Sequence, residues 1–382
     1  MLPLPLSQIM QPTLLELGRL PARADLTAYP NRAALDQDQS PWRQSLDGTW
    51  RFQLVSRPQD APADWPTAEA QDAPWREINV PGVWTRQNTG DYPHYANWRM
   101  PFDCPKPPAV PDDNPTGLYR TDFTVPSAWD GRRTTLHIGG FESLVMVWCN
   151  GQFIGLGKDS RLPSEFDLSP ALAVGTNQLA IMVVRWCDAT WIEDQDHWNH
   201  GGLHRSVYLE ARAQVHISDL IVETDYDVDT KTGQARIRVD VDGPSFGYRA
   251  RVRLEDAGGV VIHRGPEKTI DQFDTDQSIA AQWTQSFAFH GNRAEFEIDV
   301  PKAEPWSAEV PTRYRLFADL LDPKGELLET IPVWIGFRRV ETAGRRLRVN
   351  GTPIVLIGVN RHDHHPETGK TCTAEDIRED LI

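Results

Sequence analysis

Positive charge is scarce in this 382-residue sequence: 39 Lys and Arg stand against 54 Asp and Glu, a net charge of −15. Phosphate backbones and anionic membranes are held by concentrated basic patches, so general nucleic-acid or membrane-surface binding is excluded. Long hydrophobic runs are missing too. No stretch of 18 apolar residues occurs, which argues against a membrane-spanning helix. The opening MLPLPLSQIMQPTLLEL lacks a basic n-region, a continuous apolar core and a small-residue cleavage site, and does not read as a signal peptide. Cysteine is sparse and scattered (Cys104, Cys149, Cys187, Cys372), with no Cys-x-x-Cys pair. That excludes a disulfide framework, a zinc ribbon and a thioredoxin-like motif, and a cytoplasmic protein with reduced thiols is expected. There is no P-loop, no Gly-x-Gly-x-x-Gly behind a strand and no Gly-x-Ser-x-Gly elbow. Nucleotide and serine-hydrolase chemistry therefore have nothing to rest on.

Proline and tryptophan, in contrast, abound: 30 Pro and 14 Trp. With 40% hydrophobic residues the chain can bury a core, so the prolines punctuate strands rather than signal disorder. Tryptophan faces suit the apolar C–H faces of sugar rings, although for any one Trp plain core mass is the commoner role.

Residues 1–44 read as an irregular arm. Trp50-x-Phe52-x-Leu54 then alternates as a half-buried strand behind the Asp47-Gly48 turn signal. The stretch from Pro81 to Pro115 carries Trp84, Tyr92, Tyr95, Trp98 and Phe102, and reads as an ordered functional loop. Asn150-Gly151 between apolar runs predicts a type I′ hairpin. Leu179–Trp186 predicts a strand buried on both faces. Residues 45–212 thus form an all-β unit of jelly-roll or sandwich type. Residues 213–335 form a second, with clean alternation in 235–241 and 296–300, of a length that suits an immunoglobulin-like sandwich. From 336 the character changes. Ile354–Ile357 predicts a buried strand, Arg361–Pro366 a polar loop, and Thr373 with Asp376 a capped helix start. A strand, a loop and a helix cut short look like the opening of a β/α barrel that cannot close within this chain.

Three constellations carry candidate chemistry. Arg361-His362-Asp363-His364-His365 has metal-ligand residue types, but alternating directions at a strand end argue against one shared ion. Its position after a barrel strand points instead to His362 as a donor to a substrate hydroxyl. Trp191-Ile192-Glu193-Asp194-Gln195-Asp196-His197-Trp198 is either a solvated acidic face or, given its aromatics, a sugar or cation site. Lys158–Leu168 reads equally as salt-bridged scaffolding or as a contact loop.

At these motifs the sequence resembles the β-galactosidases of glycoside hydrolase family 2, of the long bacterial type. The resemblance rests on Asn114-Pro115-Thr116-Gly117, Trp148-Cys149-Asn150-Gly151, Asp159–Leu168, Glu193–Asp196, Trp306–Glu309, Gly336-Phe337-Arg338 and Gly358–Pro366. It implies a mainly β chain: a jelly-roll sugar-binding domain, an immunoglobulin-like β-sandwich, and in 336–382 the truncated start of a (β/α)8 barrel. It further implies that Asn97 contacts galactose, that Asp196 binds galactose hydroxyls and a sodium ion, and that His362 contacts the sugar. The two catalytic glutamates of the retaining mechanism, and the magnesium ligands, are expected beyond Ile382. The full-length family implies a homo-oligomer acting on β-galactosides. The expected function is therefore an N-terminal portion of a β-galactosidase, inactive alone. The alternative is a non-catalytic galactoside-binding module, or an assembly subunit completing a separately encoded catalytic part.

Overall fold

A computed structural model describes residues 2–67, 75–103, 106–193, 196–270 and 292–382. The chain divides into two compact units. One comprises Met1–Ala22, Arg43–Ala211 and Asn360–Ile382; the other comprises Arg23–Trp42 and Arg212–Val359. The N-terminal stretch is thus shared between the units, and the last 23 residues pack with the first.

In the first unit the strands are β1 (Glu16–Leu17), β2 (Arg43–Ser45), β3 (Gly48–Val55), β4 (Arg76–Val80), β5 (Gly82–Val83), β6 (His94–Ala96), β7 (Thr116–Thr124) and β8 (Arg133–Ile138). They continue as β9 (Phe141–Glu142), β10 (Leu144–Cys149), β11 (Gln152–Gly157), β12 (Ser164–Asp167), β13 (Thr176–Val184), β14 (His197–Asn199), β15 (Gly202–Leu203) and β16 (Val207–Arg212). Among the described residues, a seven-stranded sheet runs β1-β11-β10-β13-β7-β3-β4 and a four-stranded sheet runs β12-β8-β16-β2. Asn150 and Gly151 both take positive φ (51° and 77°), as the type I′ hairpin between β10 and β11 demands. β13 is buried on both faces from Asn177 onward. One face, Leu118, Met146 and Met182, packs with Ile9 and Met10 of the N-terminal arm and with Trp65. The other carries the fully buried Tyr119, Val147 and Ile181.

In the second unit β17 (His216–Asp227), β18 (Thr232–Asp242) and β22 (Asn292–Pro301) make one sheet. The other is built from β19 (Arg249–Glu255), β20 (Val261–Arg264), β21 (Lys268–Thr269), β23 (Tyr314–Leu321) and β24 (Leu327–Ile335). β18 and β22 alternate buried and open positions with period two, placing Ile237, Val239, Phe296 and Ile298 in one apolar core. The chain is mainly β, as the sequence predicts.

One expectation fails. Ile354–Ile357 form no strand and are not buried; Val355, Leu356, Ile357 and Val359 are each more than 80% exposed. A parallel barrel strand is stable only with hydrogen-bonded neighbours on both sides and helices over its faces, and none is present among the described residues. Beyond it, Thr373 does cap the helix Ala374–Leu381, and the Asp376 carboxylate accepts from its N–H in return.

Candidate functional site

Within the first unit, the long loop ahead of β7 folds back so that β6 pairs antiparallel with β14. Trp198 lies opposite Tyr95 and His197 opposite Ala96. Asn97 follows the first strand and Asp196 precedes the second, so the register brings both to the same end of this two-stranded ribbon. Both are exposed. The Tyr95 hydroxyl donates to Asp196 Oδ1. That bond, with some burial and the carboxylate charge, raises the phenol above its ordinary pKa, because ionisation would set an anion against an anion. Tyr95 and Trp198 lie with ring centroids 5.4 Å apart and remain half exposed, an aromatic platform beside a carboxylate.

Arg185, just past β13, anchors the ribbon. Its buried guanidinium donates to Asp91 at 2.5 and 2.6 Å, to the Tyr92 carbonyl at 2.8 Å and to the Asn199 carbonyl at 3.3 Å. It thereby grips the approach to one strand and the end of the other. Asp91 also accepts from the Trp84 indole at 2.7 Å. Trp84 in turn lies so close over Gly201 that any Cβ there would sit 2.2 Å from the indole.

The histidine run separates into three environments. His362 is exposed and makes no side-chain hydrogen bond or ring contact among the described residues. His364 stacks on Trp198 (6.1 Å, 21°), and its Nε2 lies 3.2 Å from Nε2 of the buried His200. His365 caps its own turn, with Nδ1 accepting from the N–H groups of Glu367 and Thr368. The three rings do not converge, and no group of three or more His, Cys, Asp or Glu able to hold a metal ion exists among the described residues. Asp196 is one hard-oxygen donor beside a phenol. That chemistry fits one ligand of a cation such as sodium, which takes several oxygens.

Beneath the ribbon runs a buried polar network. Lys370 Nζ donates to both oxygens of Glu142, at 2.9 and 3.0 Å. Burial alone would push Glu142 up, but Lys370, Arg161 and His204 together hold it at about 2. Burial lowers His200 to about 3 and His204 to about 4, so both rings are neutral near pH 7. Ser160 donates to Glu193 at 2.5 Å and Arg161 lies 3.0 Å from His197 Nε2. The Lys158–Leu168 stretch is thus scaffolding, with Lys158 paired to Asp188 at 2.6 Å. Cys104, Asp194 and Gln195 lie outside the described residues; Cys149 and Cys187 are buried free thiols.

Two of the three residues singled out from the sequence, Asn97 and Asp196, are therefore brought together, and the third, His362, is exposed with no hydrogen bond or ring contact to them among the described residues. Sequence reasoning missed Tyr95 as the partner of Asp196, and His364 as the engaged histidine of the run. The Tyr-x-Asn spacing carries a signal for Tyr95, since residues two apart on a strand share a face. Nothing local distinguishes His364 from His362.

Comparison with known proteins places the chain in a class. Residues 43–212 match the sugar-binding domain of glycosyl hydrolases family 2, residues 215–338 match a further model of glycosyl hydrolases family 2, and residues 340–382 match that family's TIM barrel domain. The chain belongs to this family. Among its relatives, the β-galactosidase of Psychromonas ingrahamii is 38% identical over 361 residues, covering 94% of this chain and 34% of the relative. That of Enterobacter cloacae is 38% identical over 375 residues, covering 97% and 35%. The chain thus spans about a third of the length of these relatives. In fold it is similar to the β-glucuronidase of Bifidobacterium dentium, at 21% identity and a TM-score of 0.71, covering 90% of this chain and 56% of that one. No helix among the described residues is long and apolar enough to cross a membrane.

Proposed function

We propose that this chain supplies the galactose-recognising side of a cytoplasmic, homo-oligomeric β-galactosidase that hydrolyses terminal β-D-galactosides with retention. The observation that carries this reading is the β6–β14 register, which gathers Asn97, Asp196 and the Tyr95–Trp198 platform at one exposed place. The aromatic faces suit the apolar side of a pyranose, Asp196 accepts from its hydroxyls and offers one ligand to sodium, and Asn97 and His362 add polar contacts. The paired glutamates that protonate the leaving oxygen and attack the anomeric carbon, like the magnesium ligands, come from outside these 382 residues. Galactoside is favoured over glucuronide because the exposed Asp196 carboxylate repels a uronate carboxylate.

The test is binding and turnover with the purified chain. Methyl β-galactoside should bind weakly, methyl β-glucuronide not at all, and Asp196→Ala should weaken galactoside binding by about tenfold or more, the loss of one charge-assisted hydrogen bond. No nitrophenyl β-galactoside should be hydrolysed. Turnover by the chain alone, or tighter binding of the glucuronide, would overturn the reading.

A further inference from the structure

His364, not the first histidine of the run, is the one the sandwich holds in place. Its ring stacks on Trp198. The residues behind it are fastened at separate points. Arg86 donates to the carbonyls of Pro366 and Glu367, and Lys370 is buried on Glu142. Gly369, at φ +68°, sits where a Cβ would meet the His200 ring at 2.7 Å.

Behind His364 runs a short chain of hydrogen bonds. Thr85 Oγ1 lies 2.7 Å from His200 Nδ1, and His200 Nε2 lies 3.2 Å from His364 Nε2. Two directions of donation satisfy these contacts, and they differ at the ends. If His200 Nδ1–H donates to Thr85, the Thr85 hydroxyl proton has no acceptor among the described residues, although the side chain is buried. A buried donor left without an acceptor is the costlier arrangement. If Thr85 donates instead, each proton in the chain is used. His200 then carries its proton on Nε2 and gives it to His364 Nε2, and the proton of His364 is left on Nδ1. That nitrogen has no protein partner among the described residues, and the ring is partly open to solvent. Burial keeps both imidazoles neutral, which the relay requires.

We propose that Thr85 and His200 are positioning residues that lock His364 as its Nδ1–H tautomer, and that this N–H donates to a hydroxyl of the ligand held at the Tyr95–Trp198 platform. That the ligand is a galactoside rests on the function proposed above; the relay itself does not.

The experiment is nitrogen-15 NMR of the histidines in the full 382-residue chain at pH 7.5, with and without methyl β-galactoside. His364 should show a protonated Nδ1 and a bare Nε2. Thr85→Val should turn it toward the other tautomer, and Thr85→Ser should restore it, which a merely space-filling threonine would not require. His364→Phe keeps the stack on Trp198 but removes the donor, and should weaken methyl β-galactoside by about tenfold, one hydrogen bond's worth. A wild-type His364 protonated on Nε2 overturns the relay, even if Thr85→Val fails to fold. A tautomer unmoved by Thr85→Val also overturns it. Unchanged sugar affinity in His364→Phe removes the donor role. A wild-type chain with the Nδ1–H signature and no affinity for the galactoside rejects the sugar reading while upholding the relay.

Discussion

In the second unit, arginine–carboxylate pairs open to water. Arg251 reaches the buried Asp319 with a side chain 41% exposed, and Arg32 reaches Glu255 with one 43% exposed. The first unit has open pairs too, such as Arg57 with Asp60, but it also closes some off: Lys158 and Asp188 are 2% and 4% exposed, and Arg185 is 1% exposed against Asp91. Both units are β-sandwiches with polar groups inside, Glu255, Asp319, Glu329 and His216 among them in the second, but the first closes the cations Lys158 and Arg185 off from water while Arg251 and Arg32 of the second stay open. A dry sandwich is the cheaper way to fold, because buried ions recover their desolvation only with good geometry. Retaining polar interiors in the first unit therefore marks where side chains are held in fixed directions for a task, as Arg185 holds the ribbon and His200 holds His364.

The contrast can be tested from its largest consequence downward. Lys158→Met should destabilise the first unit by ~3–5 kcal/mol, since Asp188 is left buried and unpaired; chemical denaturation followed by hydrogen exchange in each unit would read it. A loss under 1 kcal/mol would mean that water reaches Asp188 and that the interiors are alike.

Acid should come next. The folded-state pKa values of His200 and His204 lie below the unfolded value near 6.5, at about 3 and about 4. Between those limits the unfolded chain binds more protons, so their contribution is complete above pH 6.5 and is lost as pH falls toward 4. Glu142, held at about 2 against an ordinary 4.5, adds a loss in the lower window from 4.5 downward. The first unit should thus lose protection as pH falls from 6.5 to 4 while the second changes less. Exchange labelling at a common pH, after incubation at pH 7 and pH 4, would show both units weakening equally if the contrast is false.

Smallest is Arg249→Met, whose pair with Glu267 is open to water on both sides, the open counterpart of the first substitution. It should cost under about 1 kcal/mol, the ordinary range for a solvent-reached pair. A cost near that of Lys158→Met would erase the distinction.

Much of the fold was legible because it is written locally. The Asn150-Gly151 turn, the two-faced apolar β13 and the alternation of β18 and β22 each need only neighbouring residues to be read. The site was half legible. Asp196 stood out by chemistry and by family resemblance and Asn97 by resemblance alone, but their meeting depends on a ribbon of three residues per strand, too short for any period to show. The run Ile354–Ile357 misled for the opposite reason. Its composition states what the segment would bury against, and burial requires neighbours that the described residues do not include.

The arm has a further consequence for synthesis. Glu16 and Leu17 find their β-partners at Gly157 and Leu156, and Tyr29 exchanges both backbone hydrogen bonds with Thr330. On a ribosome adding about 5–20 residues per second, the first contact must wait roughly 10–30 s and the second roughly 15–60 s. The arm is made long before the strands it is seated against. A nascent chain therefore carries Leu26 and Tyr29, both buried in the finished unit, uncovered until Thr330 has been made. Chaperone demand should track the speed of elongation through residues 300–330 rather than the folding of either sandwich core.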